Sequence, residues 1–121
     1  MVDLHLLTKI AGNDAEFRKS IVQRVGTKAR SFVADFAQSF RKANYNSCYY
    51  KTLSFYQSIM PYCKISFLND MQKSLNILSH THDPELKQAI CRAILKDVAS
   101  AMVQSNMVRR DELNTENGVI V

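Results

Sequence analysis

Between residues 14 and 43 the apolar side chains Phe17, Ile21, Val25, Ala29, Phe32, Phe36 and Phe40 recur at intervals of 4, 4, 4, 3, 4 and 4. An α-helix turns once in 3.6 residues, so this spacing lays one continuous apolar stripe along a single long helix. A strand would scatter the same residues over both faces. Gly26 falls inside the run; at about 1 kcal/mol relative to alanine it weakens the helix locally without ending it. A helix buried along one face needs other elements to cover that face. The stripe therefore commits the chain to a packed helical fold.

The flanking sequence supplies the covering elements. Residues 3–11 predict a short helix with Leu4, Leu7 and Ile10 on one side. Gly12 closes it, because glycine tolerates the left-handed conformation that ends a helix. Asn13 is the expected cap of the long helix, with Glu16 completing a capping-box-like pair. After a turn at 44–46, a second amphipathic helix spans 47–62. Pro61, which has no amide hydrogen, weakens its end. Ser66 is the expected cap of a third helix carrying Phe67, Leu68, Met71, Leu75 and Leu78. Beyond the polar link 79–83, Asp83-Pro84-Glu85 combines a capping carboxylate, a first-turn proline and an acid near the positive helix end. Leu86, Ile90, Ile94, Val98 and Met102 extend the fourth helix to about residue 108. Long helices joined by short links predict an all-α fold: an up-down-up-down antiparallel four-helix bundle with a short N-terminal capping helix. Residues 1–110 form that bundle, and 111–121 a C-terminal tail.

Composition is consistent with this reading. A chain of 121 residues with three Gly and two Pro has length for one core and few helix breakers. The three cysteines, Cys48, Cys63 and Cys91, have no ligand-like spacing and fall on apolar faces, as reduced core residues of an intracellular protein do. The first residues lack the basic and long apolar regions of a signal peptide, and no run approaches the ~18 apolar residues of a membrane span. A cytoplasmic protein without membrane contact is the expectation.

Helix 47–62 carries the main candidate site. Its apolar residues Cys48, Leu53, Phe55, Tyr56, Ile59 and Cys63 leave a polar strip of Tyr50, Ser54, Gln57, Ser58 and Pro61, the pattern of a docking face. A serine nucleophile needs a base within hydrogen-bond reach. No histidine or acid lies between Ser47 and Asn69, which argues against an enzyme. His80-x-His82-Asp83 has the look of a metal motif, yet a defined site needs more ligands, and Asp83 serves better as a cap. His5 reads as a surface residue, and neither metal nor cofactor is expected. The long helix is strongly basic: Arg18, Lys19, Arg24, Lys28, Arg30, Arg41 and Lys42 stand against Asp35 alone, in a chain of net charge +5. Such a face can meet nucleic acid or an acidic protein, or simply be solvated. Its phenylalanines belong to the buried stripe, which argues against base stacking on single strands.

Together these elements resemble a histidine phosphotransfer (HPt) domain, the four-helix module of bacterial phosphorelays. The resemblance covers roughly residues 3–105 and rests on helix order and length. It also rests on the opening DLHLLTKIAGNDAEFRKSIV, with its short helix, Gly12-Asn13-Asp14 turn, and Glu16 and Phe17 leading the long helix. It is carried by pattern rather than by a diagnostic string. The family motif is His-x-x-Lys followed by a small residue, with a glycine several residues later, on the helix corresponding to 47–62. Aligning Tyr62 and Ile65 with the residues flanking that glycine puts Lys64 in its place. Ser54 then takes the phosphoacceptor position, Gln57 the lysine and Ser58 the small residue. Without a one-residue adjustment Leu53 stands at the histidine instead. The resemblance implies a protein-interaction module of a two-component phosphorelay that has lost phosphate transfer. Its partner would be a receiver domain or a histidine kinase, met through Tyr50, Ser54, Gln57, Ser58, Pro61 and Lys64. Two alternatives are an active phosphotransfer protein using His80 or His82, and a small basic helical nucleic-acid-binding protein.

Overall fold

The apolar stripe forms one helix in the computed structural model, which describes residues 1–104. The helices are α1 (Leu4–Ala11), α2 (Ala15–Arg41), α3 (Tyr45–Ile59), α4 (Ile65–His80) and α5 (Pro84–Gln104), with a 3₁₀ turn at Met60–Tyr62. The expected end of the last helix near residue 108 and the tail 111–121 lie outside the described residues. The protein is all-α. Among the described residues the only strand-like pairing is an isolated bridge between Val2 and Cys63.

α2 is 27 residues long and passes through buried Gly26 without a break. Its cap is Asp14 rather than Asn13: the Asp14 carboxylate accepts from the Phe17 amide at 2.9 Å. Gly12 leaves α1 at φ 59° and the Asp14 amide still donates to the Ala11 carbonyl. The chain thus reaches the extended conformation of an N-cap one residue later than expected. Phe17 also departs from expectation, being 47% exposed. Three successive four-residue steps each overshoot a turn by about 40°, which carries Phe17 about 120° around the helix from Ala29. In the other direction the buried zone is wider than the stripe and takes in Val33 and Ala37, because α2 packs against both α3 and α5.

α3 starts earlier than expected because Asn44 caps it, accepting from the Ser47 amide at 3.1 Å. The turn into it uses a left-handed residue, Ala43, at φ 52°. The α-helix ends at Ile59, and Pro61 sits in the 3₁₀ turn that follows. α4 has no side-chain cap, so the expected role of Ser66 fails. The Lys64 amide donates to the Met1 carbonyl at 2.8 Å and the Asp3 amide to the Tyr62 carbonyl at 2.9 Å. This pairing holds Lys64 extended, and the helix begins directly after it, leaving Ser66 inside the first turn. Asp83 caps α5 as expected, accepting from the Glu85 amide at 3.0 Å.

α2 lies against α3 and α5, α3 against α4, and α4 against α5, so the four long helices share one core, while α1 packs on α2. Of the residues expected to bury α1, only Leu7 is enclosed; Leu4 and Ile10 are 68% and 48% exposed. The core holds all three cysteines as free thiols. A hydrogen bond donated to Cys48, together with burial, pushes the Cys91 thiol up, and burial pushes Cys63 up to about 12. Burial, reinforced by Asp70, raises the Asp97 carboxyl on α5.

Two outcomes follow for stability. Asp14→Ala lowers urea-unfolding free energy by about 1 kcal/mol, whereas Asn13→Ala leaves it within about 0.5 kcal/mol. Asp97 is disfavoured as an anion in the fold, so it opposes folding above the carboxylate range and ceases to as pH falls through its raised value. Asp97→Asn therefore raises the melting temperature more at pH 7 than at pH 4.

Candidate functional site

The outer side of α3 is set by what its inner side buries. Cys48, Thr52, Phe55 and Ile59 point into the core, and the Phe55 ring stacks on Phe32 of α2 with centroids 4.5 Å apart and planes within 9°. Thr52, absent from the expected apolar set, is buried with its hydroxyl donated to the Cys48 carbonyl at 2.7 Å. That local bond satisfies a polar group that would otherwise be costly to enclose. The opposite side presents Tyr50, which is 66% exposed, with Ser54 and Gln57 also exposed. Ser58 is half-buried and donates to the Phe55 carbonyl at 2.8 Å. Pro61 and Lys64 are exposed at the corner after α3.

These residues do not form one cluster. Ser54 and Ser58 line a groove of about 330 Å³ between α2 and α3, together with Lys28, Ser31, Asp35 and Lys51. Leu53, the alternative occupant of the histidine position, lies instead in a groove of about 770 Å³ between α3 and α4, beside Tyr49, Tyr56, Asn76 and His80. Tyr50 meets Tyr49 edge-on at 5.2 Å. Tyr50, Gln57, Pro61 and Lys64 line neither groove.

No family model, no curated protein and no solved structure matches the chain. The chemistry must therefore be argued from the side chains themselves.

Ser54 makes no hydrogen bond to a carboxylate or imidazole among the described residues, so nothing there draws off its proton. None of the histidines stands on α3. His5 is exposed on α1, His82 is exposed in the link before α5, and His80 is the last residue of α4 rather than a loop residue. Ser79 donates to the Asn76 carbonyl at 2.8 Å, and His80 Nδ1 lies 2.8 Å from that carbonyl and 2.9 Å from Ser79 Oγ. Two acceptors facing Nδ1 require the proton there, which leaves Nε2 with its lone pair. Among the described residues no group of three or more His, Cys, Asp or Glu could hold a metal ion, and no helix is long and apolar enough to cross a membrane.

Lys51 is the residue that sequence reasoning passed over. Its ammonium donates to the Asp35 carbonyl at 3.1 Å and to Ser39 Oγ at 2.7 Å. Ser39 Oγ, buried between the helices, lies 2.9 Å from Ser47 Oγ. Ser39 accepts from Lys51 and shares a hydrogen bond with Ser47 in which either hydroxyl can donate. The available signal was the three-residue interval from Lys51 to Ser54, which places both on one side of α3. Lys51→Met removes the charge and one of the two hydrogen-bond partners of the buried Ser39 hydroxyl, lowering urea-unfolding free energy by about 1 kcal/mol. Lys28→Met, at an exposed position with no side-chain partner among the described residues, changes it by less than about 0.5 kcal/mol.

Proposed function

We propose that the chain is an HPt-like interaction module of a two-component phosphorelay that docks a receiver domain or histidine kinase without passing phosphate. In this reading α2 to α5 form an up-down-up-down antiparallel bundle. The short links between successive helices and the ring of contacts α2–α3–α4–α5–α2 support it. The protein is a cytoplasmic binding partner and not an enzyme, and Tyr50, Ser54, Gln57, Ser58, Pro61 and Lys64 make its docking surface.

The observation that carries the reading is the outer face of α3. It is solvent-exposed and offers a phenol, a hydroxyl and a carboxamide where the resembled family offers an imidazole and an ammonium. In that family an imidazole nitrogen attacks the aspartyl phosphate, forming a P–N bond as the acyl P–O bond breaks. Ser54 has no base among the described residues to make it a comparable nucleophile, and Gln57 carries no charge to draw in the phosphoryl group. Binding without transfer is what such a face can perform.

A second reading has one observation in its favour. His80 lines the α3–α4 groove, and in the Nδ1–H tautomer that its bond to the Asn76 carbonyl favours, Nε2 keeps a lone pair. An acyl phosphate could be attacked there, with the carboxylate leaving. The nucleic-acid alternative gains no such support, because the phenylalanines of α2 are turned inward, apart from Phe17 at its start.

One experiment separates the readings. The protein is incubated with a panel of radiolabelled phospho-receivers and scored for acid-labile, base-stable label and for capture of the receiver. The expected result is capture with no label, weakened about tenfold by Tyr50→Ala or Ser54→Arg. Label that survives the double substitution His80→Gln and His82→Gln sinks both readings. Label that the substitution abolishes replaces the first by the second.

A further inference from the structure

We propose that the groove between α2 and α3 is a binding site for a phosphate-type dianion. The floor is the Phe32–Phe55 stack, whose rings are almost wholly buried. The walls are Lys28, Ser31 and Asp35 from α2, and Lys51, Ser54 and Ser58 from α3. A tally of hydrogen-bond donors shows what these walls offer. Lys51 engages two of its three ammonium hydrogens with the Asp35 carbonyl and Ser39, and the third has no acceptor among the described residues. Lys28 has no side-chain partner among the described residues, nor have the hydroxyls of Ser31 and Ser54. The Ser58 proton is already given to the Phe55 carbonyl. The groove therefore presents two ammonium groups on opposite walls and two free hydroxyl donors.

Such a set suits a compact oxyanion with several acceptor oxygens, since each bond from an ammonium to a charged oxygen is stronger than its neutral counterpart. Lys51 is held in place before any ligand arrives, which lowers the ordering cost of binding. Asp35 opposes the anion. Its carboxylate shares the groove with the two lysines and leaves the lining with one net positive charge. A single negative charge inside an otherwise cationic groove gives the site a distinctive response to substitution. The proposal concerns ligand chemistry and holds whether or not the partner is a receiver domain. The phosphoryl group can be free inorganic phosphate or one carried by a protein side chain.

The test is a titration of the full chain, at constant ionic strength, followed by amide chemical shifts. One arm uses inorganic phosphate and the other a phosphoserine peptide with its unphosphorylated form as control. The expected result is saturable shifts centred on Ser31 and Ser54, with a dissociation constant of roughly millimolar order for free phosphate. Lys28→Ala weakens binding about threefold and Asp35→Asn tightens it about threefold, both at positions whose exposure leaves folding intact. Tighter binding of the phosphopeptide than of free phosphate identifies a protein-borne group, and equal binding identifies the free ion. Linear shifts spread over Arg24, Arg30 and Arg41 as well, or indifference to both substitutions, would reduce the effect to general ion attraction and overturn the site.

Discussion

Phe32 and Phe55 lie ring on ring across the α2–α3 interface, and Phe36, fully enclosed, leans against Phe32 at 5.3 Å. A helix packed against a neighbour keeps one freedom, rotation about its own axis. Stacking Phe55 on α2 removes it. Counting at 100° per residue, Gln57 and Tyr50 then fall about 160° and 140° from Phe55, on the solvent side. Ser54 falls about 100° away and Ser58 about 60°, which is why the first is exposed and the second half-buried. The composition of the outer face is thus a consequence of one aromatic contact in the core.

The Lys51–Ser39–Ser47 chain locks the same interface from its polar edge. Ser39 is buried and could not be left unpaired without penalty. A hydrogen bond accepted from Lys51 and another shared with Ser47 satisfy it on both sides. The consequence for function is positional. A lysine that would otherwise sample many rotamers is fixed at the upper end of the groove, one turn before Ser54. Structural and binding roles therefore meet in one residue, and the geometry of the groove is inherited from the packing of the helices.

Periodicity exposed a good part of this. The stripe of α2, the cap at Asp83 and the outward strip of α3 all follow from spacing within a single segment, where a 3.6-residue repeat is sufficient information. The departures share a different origin. Asp14 replaces Asn13 because caps are chosen by backbone geometry, which depends on how Gly12 leaves the preceding helix. Ser66 is not a cap because residues 1–3 pair with the corner at 62–64, a contact between segments some sixty positions apart. Phe17 is solvent-facing because a run of fours drifts off any straight line on a helix. The groove was invisible for the same reason as the Met1 pairing: Lys28 and Lys51 share it only once the α2–α3 register is known. Sequence showed each lysine, not their meeting.

That meeting divides the surface into two kinds of contact. Between Tyr45 and Ile59 the only formal charge is Lys51, and it faces the groove rather than the outer ridge. A partner seated on the ridge would be held by Tyr50 packing and by amide and hydroxyl hydrogen bonds, which are insensitive to salt and govern how long a complex lasts. The long-range field comes from α2, where Arg24, Lys28, Arg30 and Arg41 are exposed. Charge of that kind steers encounter and falls off over a Debye length of about 8–10 Å. Approach and retention are therefore assigned to adjacent helices, and the α2–α3 groove lies where the two meet. A phosphoryl group on an incoming surface would be drawn by the first and seated beside the second, with no imidazole there to accept it.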